Sequence, residues 1–184
     1  MKPEDSLRFP SQCVTLKDGR EALIRPLAAK DGEALGDFYE AVPPEDFQFY
    51  CPHALTRAKA REKAESAMAP RQVVLVLEAG DRIIGGYAWY RWQSDDAPTS
   101  VFGICLRRDF QGTGAGRAIM ARLLQIAREV GPPVMSLTVQ KTNVRGIELY
   151  KQMGFEIIRE QIRPAKPEFG LEPEPEYYME LRVR

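Results

Sequence analysis

The sequence feature that most constrains the fold is a glycine-rich loop between a predicted strand and a predicted helix. Residues 101–106 (VFGICL) form a short apolar run, which is typical of a buried strand. The loop follows as RRDFQGTGAGR over residues 107–117. Apolar residues then recur at helical spacing within residues 115–130, at Ile119, Leu123, Ile126, Ala127 and Val130. A strand, a loop and a helix in this order indicate a fold of mixed α/β class.

The loop has the properties of a phosphate-binding site. Gly112, Gly114 and Gly116 lack a Cβ atom, so the backbone can turn tightly and approach a ligand closely. The start of the following helix directs free N–H groups and the positive end of its dipole into the loop. This combination predicts that the loop binds phosphate or pyrophosphate, and a tight turn that binds nothing is the alternative.

Two common nucleotide-binding patterns do not fit the loop. A P-loop requires GxxxxGK[ST], but the fifth residue after Gly112 is Arg117, and no Lys-Ser or Lys-Thr pair follows. A dinucleotide fingerprint GxGxxG requires glycine where Arg117 stands. The pattern Q/R-x-x-G-x-G/A does fit, with Gln111, Gly114 and Gly116 in its fixed positions.

The rest of the chain predicts hairpins first, and alternating strands and helices afterwards. Asp18-Gly19, between two short apolar runs, indicates a hairpin, and Gly80-Asp81 indicates a second one. The other predicted elements are helices over 28–42, 54–69 and 144–153 and strands over 72–79, 82–92, 134–139, 155–162 and 176–183. We expect one mixed α/β domain over residues 12–184, preceded by a flexible N-terminal tail over residues 1–11.

Composition argues against several classes of function. The 26 Lys and Arg residues balance the 26 Asp and Glu residues, so the chain lacks the basic excess of a nucleic-acid-binding domain. Cys13, Cys51 and Cys105 are far apart and odd in number, and His53 is the single histidine, so neither a disulfide framework nor a metal site is expected. The chain shows no apolar signal segment and no run long enough to span a membrane. We therefore expect a cytoplasmic protein without a nucleic-acid or membrane partner.

The sequence around the loop resembles a known family. GICLRRDFQGTGAGRAIMARLL is similar to the acyl-coenzyme A binding motif of the GNAT superfamily of N-acetyltransferases. LTVQKTNVRGIELYKQMGFEII resembles the next motif of that superfamily, with Asn143, Tyr150, Gly154 and Phe155 at the matching places. LKDGREALIRPLAAKDGEAL resembles its first strand and first helix, so the resemblance covers the chain from about residue 14.

The resemblance implies both a fold and an activity. The implied fold is a mixed, mostly antiparallel, twisted sheet of six to seven strands flanked by about four helices. The implied enzyme is an acyltransferase that moves an acetyl group from acetyl-CoA to a primary amine, which attacks directly in a ternary complex. A catalytically idle acyl-CoA sensor of the same fold is the alternative.

The resemblance also implies roles for individual residues. The strand before the loop would splay from its neighbour and so free some of its backbone groups, which would hydrogen-bond the pantetheine arm. These groups belong to Ile104, Cys105 and Leu106. The backbone amides that would hold the pyrophosphate belong to Gln111, Gly112, Thr113, Gly114, Ala115 and Gly116. Arg117 would add positive charge at the helix start, or else be a solvated helix residue. Asn143 would cap the next helix and contact the coenzyme, and capping alone is the simpler role.

Tyr150 stands where the family keeps the acid that protonates the leaving thiolate. A tyrosine is protonated at neutral pH because its ordinary pKa is about 10, so its hydroxyl can donate this proton. The alternative is a core tyrosine that packs on Ile147 and Phe155. Cys105 lies between apolar residues with no histidine near it in sequence, and we interpret it as a buried small residue and not as a nucleophile.

The sequence does not identify the group that takes a proton from the amine. SVFGICLRRDFQG parallels the AEFAVVVRDDWQG of the bacterial protein-lysine acetyltransferase branch, but Val101 stands where that branch carries its glutamate base. The expected base of that branch is therefore absent. Glu78, Asp95 and Asp96 are other carboxylates to consider, and a water relay to solvent is a further option.

The acceptor amine is also left open. Residues 42–50 and 164–175 are expected to frame it, and both segments are acidic, through Glu45, Asp46, Glu168, Glu172 and Glu174. A negative rim would attract a cationic amine, although ordinary surface acidity explains the same composition. A small-molecule amine, a peptide N-terminus and a protein lysine all remain candidates. Exposed strands in the C-terminal hairpin would allow a homodimer.

Overall fold

One eight-stranded sheet forms the centre of the computed structural model, which describes residues 9–46, 48–50 and 52–184. Its strands are β1 (Gln12–Thr15), β2 (Glu21–Pro26), β3 (Gln72–Ala79), β4 (Ile83–Arg91), β5 (Thr99–Leu106), β6 (Val134–Gln140), β7 (Glu156–Arg163) and β8 (Glu174–Arg182). The order across the sheet is β1-β2-β3-β4-β5-β6-β8-β7. Neighbouring strands are antiparallel except β5 and β6, which run parallel.

Four α-helices in the described residues cover the two faces of the sheet. They are α1 (Gly32–Glu40), α2 (Arg57–Glu65), α3 (Ala115–Glu129) and α4 (Val144–Gln152). The predicted mixed, mostly antiparallel fold is confirmed, but the sheet has eight strands instead of six to seven. The short edge strand β1, which turns back to β2 at the predicted Asp18-Gly19 dipeptide, brings the count above that expectation. Within the described residues, no helix is long and apolar enough to cross a membrane.

The hydrophobic core is divided between the two faces of the sheet. The α1 and α2 face buries Leu35, Phe38 and Tyr39 against Val74, Val76 and Tyr87. The opposite face buries one side of α3, of which four residues had been predicted from the helical spacing, namely Ile119, Leu123, Ile126 and Ala127. The tyrosine of α4, Tyr150, belongs to this second cluster. The sheet therefore separates two hydrophobic clusters, one on each face.

A buried ion cluster ties the start of α1 to the sheet. The Asp31 carboxylate has no exposed surface and accepts hydrogen bonds from the Arg25 guanidinium at 2.6 and 2.9 Å and from the Ala28 backbone N–H at 2.9 Å. Arg25 also donates to Glu78 on β3, at 2.9 Å from its Nε. Burial alone would raise the pKa of Asp31, but the Arg25 and Ala28 donors hold that pKa below its ordinary value. The cluster is therefore ionised at neutral pH and joins β2, β3 and α1.

The two ends of the chain meet the sheet differently. The predicted flexible tail lies mostly outside the described residues. Of its last three residues, Phe9 is buried in the core, and the Pro10 carbonyl accepts a hydrogen bond from Arg122 at 2.7 Å.

Near the C-terminal end of the chain, β7 is the outer strand of the sheet and exposes Ile157, Ile158 and Ile162. This is the C-terminal hairpin for which pairing between subunits was expected, and a homodimer stays a prediction.

Candidate active site

The parallel strands β5 and β6 part after three residue pairs. Thr99, Ser100 and Val101 pair with Val134, Met135 and Ser136. Beyond this point β5 pairs only with β4, as far as Leu106, and β6 pairs only with β8, as far as Gln140. A wedge thus opens between the strands toward their C-terminal ends.

The residues predicted to bind pantetheine line one wall of this wedge. Ile104, Cys105 and Leu106 lie on the part of β5 that has no strand partner on its β6 side. The Leu106 carbonyl accepts a 3.4 Å hydrogen bond from the Gln111 side-chain amide, which brings the glycine loop against the end of the strand. The wedge therefore offers unpaired strand edges to an extended, amide-rich chain.

The three glycines of the loop are explained by two local reasons, a left-handed backbone at Gly112 and Gly114 and a close approach at Gly116. Gly112 and Gly114 have φ angles of 77° and 90°, in the left-handed region that side chains disfavour. Gly116 is helical, and a Cβ there would lie 3.2 Å from Leu106 Cδ1 and 3.4 Å from Leu149 Cδ2. The loop thus turns tightly, as the sequence analysis expected, and it also brings the start of α3 close against the end of β5.

The loop presents a cluster of unpaired backbone N–H groups. Within the described residues, no acceptor is found for the amides of Gly112, Thr113, Gly114, Gly116 and Arg117. The Ala115 amide has only a 3.4 Å contact with the Thr113 hydroxyl, while the Gln111 amide is occupied by the Arg108 carbonyl at 3.1 Å. Free amides at the N-terminus of a 15-residue helix form a site suited to phosphate oxygens. Of the six backbone amides predicted to hold the pyrophosphate, four are therefore free and that of Ala115 has only the long contact, whereas the Gln111 amide is occupied. Arg117, predicted only to add charge, also has a free amide.

A methyl group at Gly114 tests the importance of this backbone shape. We expect Gly114→Ala to weaken acetyl-CoA binding about fivefold, because a left-handed residue with a Cβ costs about 1 kcal/mol and tilts the amides. Titration calorimetry measures the change. Gly170→Ala is the matched control, since Gly170 also has a positive φ of 65° but lies in the β7–β8 loop. Equal affinity in both variants would remove the loop from the coenzyme site.

Most arginines near the loop are held by other side chains. Arg107 pairs with Asp109 at 3.0 Å, and Arg108 pairs with both Asp46 and Glu45 at 2.9 Å. Arg117 instead hydrogen-bonds the Gln152 side chain of α4. Arg108 therefore neutralises part of the acidic segment before α2, which makes that segment less negative than its composition suggests.

Tyr150 stands at the closed end of the wedge. Its ring packs on Phe102, the first β5 residue beyond the last β5–β6 pair, with centroids 5.7 Å apart and planes at 80°. Phe155 closes the other side at 6.1 Å. Burial, and to a smaller extent the nearby Cys105 thiol, raises the pKa of the Tyr150 hydroxyl above its ordinary value. The ring is thus fixed beside the strand edge and carries a fully protonated hydroxyl at neutral pH.

Asn143 caps α4, as the sequence analysis expected. Its side-chain oxygen accepts the Gly146 backbone N–H at 2.9 Å. The cap fixes the start of α4. Tyr150 lies on this helix, six residues after its first residue, Val144. A contact between Asn143 and a coenzyme stays a prediction.

A group of aromatic side chains occupies the other face of the sheet beside Cys105. Tyr87 lies opposite Cys105 across the β4–β5 pair, and its ring meets that of Tyr39 edge-on at 6.0 Å. The Trp89 indole donates to the Tyr50 hydroxyl at 3.0 Å. Burial raises the pKa of the Cys105 thiol to about 12, which keeps it protonated and unreactive. Cys105 is partly buried, so the interpretation as an unreactive small residue agrees with this environment, although the residue is not fully covered.

The sequence analysis missed that His53 approaches this aromatic group. Its Nε2 lies 3.4 Å from the Tyr39 hydroxyl, and its Nδ1 lies 2.9 Å from the Ala54 carbonyl. Burial lowers the pKa of His53, so the ring is neutral at pH 7. No spacing rule connects a loop histidine with a helix tyrosine 14 residues earlier, so only the fold brings them together.

The carboxylates considered as bases are either bound by an arginine or exposed to solvent. Glu78 accepts a hydrogen bond from Arg25. Asp95 lies in the turn after β4, where its side chain is 80% exposed and 3.7 Å from the Arg71 guanidinium. Asp96 is exposed in the same turn. Val101 sits at the last β5–β6 pair, beside the closed end of the wedge. None of these four side chains supplies a buried carboxylate at that point.

The acidic segments expected to frame the acceptor differ in their free charge. Glu174 is bound by the Thr142 hydroxyl at 2.6 Å and lies 3.5 Å from Arg163. Glu168 and Glu172 are exposed, and no ion pair to either is found among the described residues. The free negative charge of the predicted rim therefore lies in the β7–β8 loop.

Comparison with known families gives a match over most of the chain. Residues 28–155 match the sequence profile described as Acetyltransferase (GNAT) family. These residues run from the turn before α1 through Tyr150 to Phe155, so they include the wedge, the glycine loop and α4.

Individual relatives and solved structures agree with this match. A mycothiol acetyltransferase of Propionibacterium freudenreichii is 26% identical over 119 residues, which cover 62% of this chain and 38% of the relative. The L-amino acid N-acyltransferase MnaT of Escherichia coli is 29% identical over 99 residues, covering 53% of this chain and 57% of the relative. The chain thus spans less than two thirds of the length of both relatives.

Two solved structures share the fold. The GNAT domain of S. lividans PAT superposes with a TM-score of 0.75 at 20% identity, covering 94% of this chain and 96% of that domain. The yncA protein of Salmonella typhimurium, solved with acetyl-CoA, gives a TM-score of 0.72 at 22% identity, covering 89% of this chain and 94% of that one. At these identities the likeness concerns the fold alone.

Proposed function

Because the chain belongs to the GNAT acetyltransferase family, we propose that it transfers an acetyl group from acetyl-CoA to a primary amine. The observation that carries the proposal is the order of three features along the wedge between β5 and β6. The free amides of the glycine loop lie at the open end of the wedge, the unpaired edge of β5 follows, and Tyr150 stands at the closed end. Acetyl-CoA has pyrophosphate, amide-rich pantetheine and thioester in the same order.

The residues of the path fit a coenzyme of this kind. The amides of Gly112, Thr113, Gly114 and Gly116 would hold the pyrophosphate, and backbone groups of Ile104, Cys105 and Leu106 would pair with pantetheine. Arg117 would add charge at the helix start, and Asn143 would contact the coenzyme from α4. A coenzyme held along the wedge would place its thioester near Tyr150, and the acetyl group would pass directly to the amine.

The reaction requires two proton movements. The neutral amine nitrogen attacks the thioester carbonyl carbon, and the carbon–sulfur bond breaks as the tetrahedral intermediate collapses. Tyr150 donates its proton to the departing sulfur, whose basicity is raised in a buried site just as burial raises the pKa of the Cys105 thiol. The proton lost by the amine passes to solvent water, since no carboxylate occupies the Val101 position, and solvent returns a proton to Tyr150. The products are an amide and free coenzyme A.

Release of free thiol tests the proposed activity. Purified protein is incubated with acetyl-CoA and a panel of amino acids, polyamines, peptides with free N-termini and lysine-containing proteins. We expect thiol release above the buffer rate with at least one class of amine. Tight acetyl-CoA binding without turnover on any amine would instead support a sensor of the same fold.

The acceptor side supports a cationic amine as substrate. Glu168 and Glu172 leave negative charge in the β7–β8 loop, and long-range attraction raises the local concentration of a cation. We expect the double variant Glu168→Lys/Glu172→Lys to raise acceptor KM about threefold to tenfold at low salt, and the effect to shrink as salt screens the charges. Steady-state kinetics at two ionic strengths measure this. A matched double variant, Glu148→Lys/Glu156→Lys, changes the same charge elsewhere, and an equal rise in KM there would contradict a local rim.

A further inference from the structure

The turn between β1 and β2 is docked on the glycine loop. The Lys17 backbone N–H donates to the Thr113 carbonyl at 2.8 Å. The Arg20 guanidinium donates to the Asp109 carbonyl at 2.6 Å and lies 3.9 Å above the centre of the Phe110 ring. Three contacts from one hairpin thus hold both the beginning and the middle of the loop.

The Lys17 side chain continues from this contact across the loop. A side-chain carbon built on Gly114 would lie 3.6 Å from Lys17 Cγ, 4.0 Å from Cδ and 3.8 Å from Cε. The aliphatic part of Lys17 therefore follows the loop surface where the free amides of Thr113, Gly114 and Gly116 are exposed. The ammonium nitrogen is bonded to Cε, so it lies within one bond length of a carbon that is itself 3.8 Å from that built position.

Lys17 differs from three of the arginines around the loop in its partners, while Arg117 and Arg145 hydrogen-bond the glutamine side chains of Gln152 and Gln111. Arg107 and Arg108 are paired with carboxylates, and Arg20 is held by Asp18 through hydrogen bonds of 2.7 and 2.9 Å. Among the residues that the structure describes, no carboxylate pairs with exposed Lys17. Its positive charge is therefore available to a ligand without the loss of an existing ion pair.

We propose that Lys17, supplied by the β1–β2 hairpin, is a further ligand of the coenzyme pyrophosphate. This inference rests on the proposed function. Backbone amides donate hydrogen bonds but carry no net charge, whereas a pyrophosphate diester carries two negative charges. A lysine ammonium beside the amides supplies a charge-assisted hydrogen bond to one of the phosphoryl oxygens. The coenzyme site is then shared between the N-terminal hairpin and the strand–loop–helix segment.

The test compares ligands that contain different phosphate groups. Calorimetry measures coenzyme A and 3′-dephospho-coenzyme A binding to wild type, Lys17→Met and the control Lys30→Met, which removes the same charge from an exposed residue before α1. We expect Lys17→Met to weaken both ligands about tenfold, as for one charged hydrogen bond, and Lys30→Met to leave both unchanged. Acetyl-pantetheine, which has no phosphate, should keep its kcat/KM in Lys17→Met.

Each other result contradicts a defined part of the inference. Equal affinities in the two lysine variants would remove Lys17 from the site. A loss seen with coenzyme A but not with 3′-dephospho-coenzyme A would assign Lys17 to the 3′-phosphate and overturn the pyrophosphate assignment. Failure of the wild type to bind coenzyme A at all would overturn the proposed function itself. Thermal unfolding of Lys17→Met should match wild type, because the side chain is exposed.

Discussion

Replacing Tyr150 with phenylalanine is expected to lower kcat about a hundredfold while the dissociation constant of acetyl-CoA changes less than about twofold. A positioned general acid contributes at least this factor, and its loss affects the step in which the thiolate leaves. Phenylalanine keeps the ring that packs between Phe102 and Phe155, so the wedge keeps its shape. Steady-state kinetics and calorimetry on the same preparation separate the two quantities.

Tyr90→Phe is the matched control for Tyr150→Phe. Tyr90 is also a buried tyrosine of the same core cluster, but its hydroxyl lies 3.4 Å from the Val130 carbonyl, at the end of α3. We expect its kcat to equal that of wild type. Full activity in Tyr150→Phe, or an equal loss in both variants, would show that Tyr150 is a core residue and not the acid.

Replacing Arg25 with methionine is expected to lower the free energy of unfolding by about 3 kcal/mol at pH 7. The change leaves the fully buried Asp31 carboxylate without its main donor, and an uncompensated buried charge costs this much. Urea unfolding monitored by circular dichroism measures the difference. Arg82→Met is the matched control: Arg82 also lies 3.5 Å from Asp31 but is 61% exposed, so its loss should cost less than about 1 kcal/mol.

The pH dependence of the Arg25→Met effect has a definite sign. In wild type the pKa of Asp31 is lower in the folded protein than in the unfolded chain, so the cluster stabilises the fold above about pH 4 and loses this contribution as the pH falls. In Arg25→Met burial dominates, and the folded protein holds the Asp31 proton more tightly than the unfolded chain does. The destabilisation should therefore be largest near neutral pH, begin to shrink above pH 4 as Asp31 of the folded variant takes up its proton, and shrink further below about pH 4, where wild type loses the contribution of the cluster. An effect that stays constant from pH 7 to pH 3 would contradict an ionised cluster.

The sequence predicts the parts of the candidate site that depend on local chemistry. Gly112 and Gly114 were identified because only a residue without a Cβ adopts their backbone angles freely, and both have positive φ. The helix that carries Tyr150 was bounded correctly because Asn143 and Gly154 mark its ends in the residue pattern. Local signals of this kind need no knowledge of the rest of the chain.

Contacts between segments that lie far apart in the chain could not be predicted from the sequence. Lys17 and Thr113 are brought together by the turn of the first hairpin over the loop, and neither residue carries a pattern that relates it to the other. The same holds for the pairing of Arg108 with Asp46, which removes charge that composition alone assigns to the acceptor rim. These contacts depend on strand order and register, which are set by packing of the whole sheet.

The short parallel contact between β5 and β6 divides the sheet into two half-sheets. Five strands lie on one side of this seam and three on the other, and only three residue pairs join them directly. A coenzyme in the wedge would hydrogen-bond where strand pairing ends, and so act as a missing length of strand between the halves. Ligand binding and the cohesion of the sheet would then be coupled: a coenzyme bound at this seam would stabilise the contact between the two half-sheets, which only three residue pairs join directly.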